Sequence, residues 1–137
     1  NSILYTDWIL SSIIDVIGQP NIVSSFTFVS DHGEHINKEG AGHGGNCSPI
    51  KEEYHVPFIF WWSDEYETLH PQKTYNAKLH THNKINGDCI FYSICDMAAI
   101  QLDSLYSKTS WSIFSPTFEE HSRLILLPDG INTIAVD

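Results

Sequence analysis

Basic side chains are scarce in this sequence. Seven Lys and Arg against seventeen Asp and Glu leave a formal net charge of −10, which excludes the basic surface that a nucleic-acid groove needs. Long apolar runs are also missing: no stretch reaches the about 18 residues of a membrane span. The cysteines, Cys47, Cys89 and Cys95, form no CxxC zinc pattern and leave one thiol over in any pairing. Cys89 and Cys95 fall six residues apart on an expected helix. That spacing puts them on different faces and about 9 Å apart along the axis, so no bond between them is expected. No internal repeat, low-complexity tract or flexible linker divides the chain, and 137 residues are one domain's worth. With no signal peptide and no initiator Met, the chain reads as an excerpt from something longer. Histidine is the residue in surplus, with eight copies.

The apolar spacing predicts an alternation of helices and strands. Leu10, Ile13, Ile14 and Ile17 recur at i, i+3, i+4 and i+7 within an amphipathic helix over Ser2–Ile17, stopped by Gly18 and Pro20. A strand over Val23–Ser30 follows, and helix then strand suggests a parallel α/β layer. Residues 35–54 lose all periodicity, and loops that long are usually functional or disordered. Val56–Trp62 is a continuous apolar run that reads as a strand buried on both faces. Ser63 and Asp64 offer caps for a helix from Glu65, interrupted at His70-Pro71, and Asp88 offers a cap for another through about Ile100 with Ile90, Phe91, Ile94 and Met97 at roughly helical spacing. Trp111, Ile113 and Phe114 are expected anchors in an irregular stretch. Arg123–Leu127 and Ile131–Val136 read as a terminal β-hairpin turned at Pro128-Asp129-Gly130.

Chemistry concentrates in Phe26-Thr-Phe-Val-Ser-Asp31-His32-Gly33-Glu34. The strand ends in an acid, an imidazole and a glycine, at the strand end where open α/β sheets bind ligands. Carboxylate oxygen and neutral imidazole nitrogen both suit Zn²⁺, and Gly33 is expected to allow a turn through angles closed to other residues. A plain surface turn is the alternative for these three residues. His43 sits among Gly40, Gly42, Gly44 and Gly45, with room for a ligand to reach its ring or simply in a solvated loop.

The set Ser30-Asp31-His32-Gly33-Glu34, His43-Gly44 and His55-Val56-Pro57 before an apolar strand resembles the bacterial phosphoethanolamine transferases of the sulfatase and alkaline-phosphatase superfamily. Asn1–Asp7 looks like the helix before the family's metal-binding strand, and Asp88, Ser115-Pro116, Arg123 and Asp129-Gly130 look like its C-terminal trace. The resemblance implies an α/β fold: the C-terminal part of an alkaline-phosphatase-like sandwich, with a mainly parallel sheet flanked by helices and a C-terminal β-hairpin. Residues 1–137 are then the C-terminal portion of one catalytic domain, without its nucleophile-bearing half or its membrane domain. By the same resemblance Asp31 and His32 match zinc ligands, and His43 matches a histidine facing the phosphoryl group or a second metal. A threonine nucleophile and a glutamate ligand are expected upstream. The implied reaction moves phosphoethanolamine from a phospholipid donor through a phospho-threonine to a glycan or lipid A acceptor, at the periplasmic face of the bacterial inner membrane. The fragment alone is expected to be inactive. Cys89 stands where relatives commonly carry Asn and Gly87 where some carry His, which leaves subfamily and acceptor open.

Two further readings compete. Cys47-Ser-Pro49-Ile-Lys51 resembles a sulfatase formylglycine signal, but it ends in Lys and follows the Asp-His pair instead of preceding it; a sulfatase or phosphodiesterase of the same superfamily is the enzymatic alternative. Alternatively His32-x-x-His35 and His80-x-His82 belong to a non-catalytic, histidine-rich metal-binding module.

Overall fold

The structure is a computed structural model that describes residues 2–37, 40–42, 51–104, 107–127 and 130–135. Helix α1 spans Ser2–Ile17, as its spacing predicts, and closes where the Gly18 amide donates to the Ile14 carbonyl at 2.7 Å. Its stripe is less covered than expected. Leu10, Ile14 and Ile17 are half-buried, Ile13 is exposed, and no residue of α1 is fully buried. After a turn in which Asn21 adopts a φ of 66°, strand β1 runs over Ser25–Val29. The chain then makes an excursion through β2 (His35–Asn37), β3 (Gly40–Gly42) and the one-turn helix α2 (Lys51–Tyr54), returning as β4 (Phe58–Trp62). The segment that lacked periodicity thus holds two strands and a helical turn, each too short to show a repeating pattern.

Strands β1 and β4 pair antiparallel, from Ser25 opposite Trp62 to Val29 opposite Phe58. This corrects the parallel layer. The chain re-enters β4 directly across from the point where it left β1, with Phe58 opposite Val29. A parallel partner would need a crossover that carries the chain back along the sheet, usually on a helix, and the four-residue α2 does not span that length. The other described pairs, β2 with β3 and β5 (Leu124–Leu126) with β6 (Thr133–Ala135), are antiparallel as well. Strand β4 is also not buried on both faces, since Ile59 points outward at 41% exposure.

The core lies on the other side of β4. Helices α3 (Asp64–Leu69), α4 (Pro71–Leu79) and α5 (Gly87–Met97) enclose Tyr66, Ala77, Met97, Ile113 and Phe114, with Phe60 and Trp62 of β4 packed against them. Phe114 meets the Phe60 and Trp62 rings edge-on at 5.1 and 6.1 Å. Because residues 112–115 are irregular yet buried, their backbone needs partners from side chains. Asn76 donates to the Phe114 carbonyl at 2.9 Å, His80 Nδ1 lies 2.7 Å from the Ile113 carbonyl, and Ser93 Oγ accepts the Ile113 amide at 3.1 Å. Helix α5 turns Cys89, Ser93, Cys95 and Met97 inward and leaves Phe91 and Ile94 exposed, and the irregular segment meets that inward face at Ser93. Its cap is Asn86, accepting from the Cys89 amide, and not Asp88. Cys89 and Cys95 are free thiols.

Candidate metal centre

Two anchors set the position of β1. At its start, Ser63 Oγ donates to the Ile22 carbonyl at 2.9 Å and accepts from the amides of Ser24 and Tyr66, both at 3.2 Å. The residue that caps α3 therefore also ties down the approach to β1. At its far end the strand delivers Ser30, whose hydroxyl donates to the His32 carbonyl at 2.8 Å, and the turn at Asp31 follows.

Within that turn the donor atoms are sorted. The His32 amide donates to Asp31 Oδ1 at 3.1 Å. His32 Nδ1 lies 3.0 Å from the Gly33 carbonyl, which only accepts, so Nδ1 carries the proton and Nε2 holds the lone pair of the neutral ring. That orientation by a backbone carbonyl is the usual support of a metal-ligating histidine. His32 Nε2 then faces Asp31 Oδ2 at 3.8 Å, and the two side chains are 43% and 89% exposed. Ligand atoms sharing one tetrahedral Zn²⁺ stand about 3.3–3.4 Å apart for bonds near 2.0–2.1 Å, so a small rotamer adjustment brings this pair to a zinc ion. The donor set fits zinc as two ligands of a larger set. Among the described residues no group of three or more His, Cys, Asp or Glu converges on one point.

Gly33 serves the turn differently from the expectation. Its φ is not positive; what requires glycine is proximity. Its amide donates to the Glu53 carbonyl at 2.8 Å, and a Cβ placed on it would lie 2.0 Å from the Glu52 carbonyl oxygen. Helix α2 is thus seated against the Asp-His-Gly turn.

The same helix turn brings in two residues whose partnership the sequence did not reveal. Glu53 is 7% exposed, the one buried carboxylate among the described residues, and its Oε1 lies 2.7 Å from His35 Nδ1. Eighteen residues separate them, with no periodic pattern to link them. His35 is engaged by Glu53 through Nδ1, and among the described residues it joins no group of three or more His, Cys, Asp or Glu around one point. His80 is held by the Ile113 carbonyl and packs on Phe118, while His82 is exposed. His43 lies outside the described residues, as do Cys47, Ser48 and Pro49.

The sulfatase family model matches residues 1–99, a span that takes in β1, the Asp-His-Gly turn, α2, β4 and the helices through α5. The chain belongs to the sulfatase family. It therefore has an α/β fold of the alkaline-phosphatase type, of which the described residues contribute helices and small antiparallel sheets. The chain is similar to phosphoethanolamine transferase EptA of Helicobacter pylori, 29% identical over 96 residues, covering 69% of this chain and 17% of that protein. To phosphoethanolamine transferase CptA of Salmonella typhimurium it is 29% identical over 110 residues, covering 78% of this chain and 18% of the relative. To the Kdo(2)-lipid A phosphoethanolamine 7''-transferase of Escherichia coli it is 35% identical over 68 residues, with 48% and 12% covered. The chain thus spans less than a fifth of the length of these relatives. No solved structure matches it.

Proposed function

We propose that the protein carrying this chain is a zinc-dependent phosphoethanolamine transferase, and that residues 1–137 are the C-terminal portion of its catalytic domain, within a sandwich whose larger sheet includes β1 and β4. The observation that carries this reading is the facing of His32 Nε2 and Asp31 Oδ2 at 3.8 Å at the end of β1. Relatives named as phosphoethanolamine transferases support it. When bound, zinc lowers the pKa of a coordinated hydroxyl and neutralises phosphate charge. Asp31 would supply anionic oxygen for the ion and His32 a ring nitrogen oriented by its Nδ1 contact with the Gly33 carbonyl. Gly33, locked by α2, holds both in place. His43 addresses the phosphoryl group. A threonine upstream takes phosphoethanolamine from the phospholipid as the donor's lipid alcohol leaves, and a glycan hydroxyl or phosphate, such as on lipid A, takes it in turn and releases the threonine hydroxyl. Among the described residues no helix is long and apolar enough to cross a membrane; attachment to the periplasmic face of the inner membrane belongs to an N-terminal domain.

The test compares the 137-residue chain with a form extended upstream to the length of its relatives, each supplied with zinc and a phosphoethanolamine lipid. Transfer by the extended form alone is expected. Turnover by the short chain, abolished by His43→Ala, would mean that the nucleophile lies within these residues and that its placement upstream is wrong.

A further inference from the structure

Glu53 links the metal-binding turn to a second imidazole. Its backbone carbonyl accepts the Gly33 amide at 2.8 Å, while its carboxylate reaches His35 Nδ1 at 2.7 Å. One residue thus fixes both ends of the segment 33–35. Glu53 is the only buried residue of α2, and burying a carboxylate is costly where an apolar side chain of similar size would pack as well. With Nδ1 engaged, Nε2 is the ring nitrogen left for a ligand. That edge of the ring faces Gly42, opposite His35 in the β2–β3 pair, where a Cβ would come within 3.4 Å of Cε1 and 3.8 Å of Nε2. Glycine there keeps the ring edge clear. The His35 side chain is 18% exposed, so Nε2 is held in one direction and not loose in solvent.

Resting on the transferase reading above, we propose that His35, held by Glu53, is a substrate-positioning residue whose Nε2–H donates to a non-bridging oxygen of the phosphoryl group handled at the Asp31–His32 turn. The ring then bridges a carboxylate on one side and a phosphoryl oxygen on the other, and hydrogen bonds to such anionic oxygens are of the strong, charge-assisted kind. His35 sits three residues beyond His32 on a segment tied at each end, which suits a group that must keep a fixed distance from the metal. The role is to bind and orient; no bond to phosphorus is made by His35.

The test uses the zinc-loaded full-length protein and inorganic phosphate as the probe, with zinc content measured alongside. We expect His35→Ala to weaken phosphate binding roughly tenfold or more, the effect of one charge-assisted hydrogen bond, with zinc content unchanged. Glu53→Gln, which still accepts from Nδ1 but carries no charge, should weaken it less. His35→Gln, which keeps a neutral N–H donor, should fall between wild type and His35→Ala, and it serves as the folded comparison if the alanine variant does not fold. A purely structural role predicts a lower melting temperature with phosphate affinity intact in the folded variants, and that result overturns the proposal. Loss of zinc from His35→Ala or His35→Gln overturns it too, by making the residue a metal ligand. Those failures leave the transferase reading standing. Zinc retained in full by an Asp31→Ala, His32→Ala variant, or no phosphate binding by the wild type, removes the reading on which the proposal rests.

Discussion

Gly33 is the residue on which the geometry of the turn depends most. A methyl group at this position would lie 2.0 Å from the Glu52 carbonyl oxygen, so either α2 or the turn must give way. Gly33→Ala should cost about 1–3 kcal/mol, the range for forcing an extra carbon into a packed site, seen as a lower urea midpoint. An unchanged midpoint would mean that α2 is not seated on the turn. The sequence displays Asp31, His32 and Gly33 side by side, so this candidate pair stands out from residue types alone. The reason for the glycine was not legible, because it depends on a helix twenty residues away in the chain. The partnership of His35 with Glu53 was hidden for the same reason.

Among the elements, α3 illustrates how local and distant contacts combine in one side chain. Ser63 Oγ satisfies the Tyr66 amide as a helix cap and also bonds the Ser24 amide and the Ile22 carbonyl. Ser63→Ala should therefore cost about 1–2 kcal/mol, at the upper end of cap substitutions, by chemical denaturation. A cost of a few tenths would show that the link to β1 contributes nothing. Helix α5 makes a different prediction: Cys89 and Cys95 remain separate thiols, and mass spectrometry of the denatured, alkylated chain should find both modified. A mapped 89–95 disulfide would contradict the helix. Helices were readable where their signals are local, as in α1 and at the His70-Pro71 boundary, where Pro71 opens α4. Strand direction was not, because apolar runs such as Val56–Trp62 reveal burial but not which neighbour a strand meets. The inward face of α5 was not legible for a related reason: its Ser93 accepts the Ile113 backbone amide, a contact with no hydrophobic signature.

For the molecule as a whole, core and candidate site are joined through β4, which carries Phe60 and Trp62 into the core and places Phe58 opposite Val29 at the site's end. On the core side, burial and then the nearby Asp96 charge push the Tyr66 hydroxyl from 10.0 up to about 12, while it donates to the Met97 carbonyl at 2.7 Å. The folded state keeps this proton more tightly than the unfolded chain. Its contribution is therefore complete below about pH 10 and is lost as pH rises through about 12. Denaturation midpoints should fall across that window, and Tyr66→Phe should flatten the fall; an equal slope in the variant would exclude Tyr66 as its source. On the site side, the central claim is that Asp31 and His32 hold zinc in the complete enzyme. Elemental analysis of the full-length Asp31→Ala, His32→Ala variant, with circular dichroism to follow the fold, tests it most directly. Zinc should be lost while the helical signal stays at the wild-type level; full zinc occupancy in that folded variant would show that other residues hold the ion.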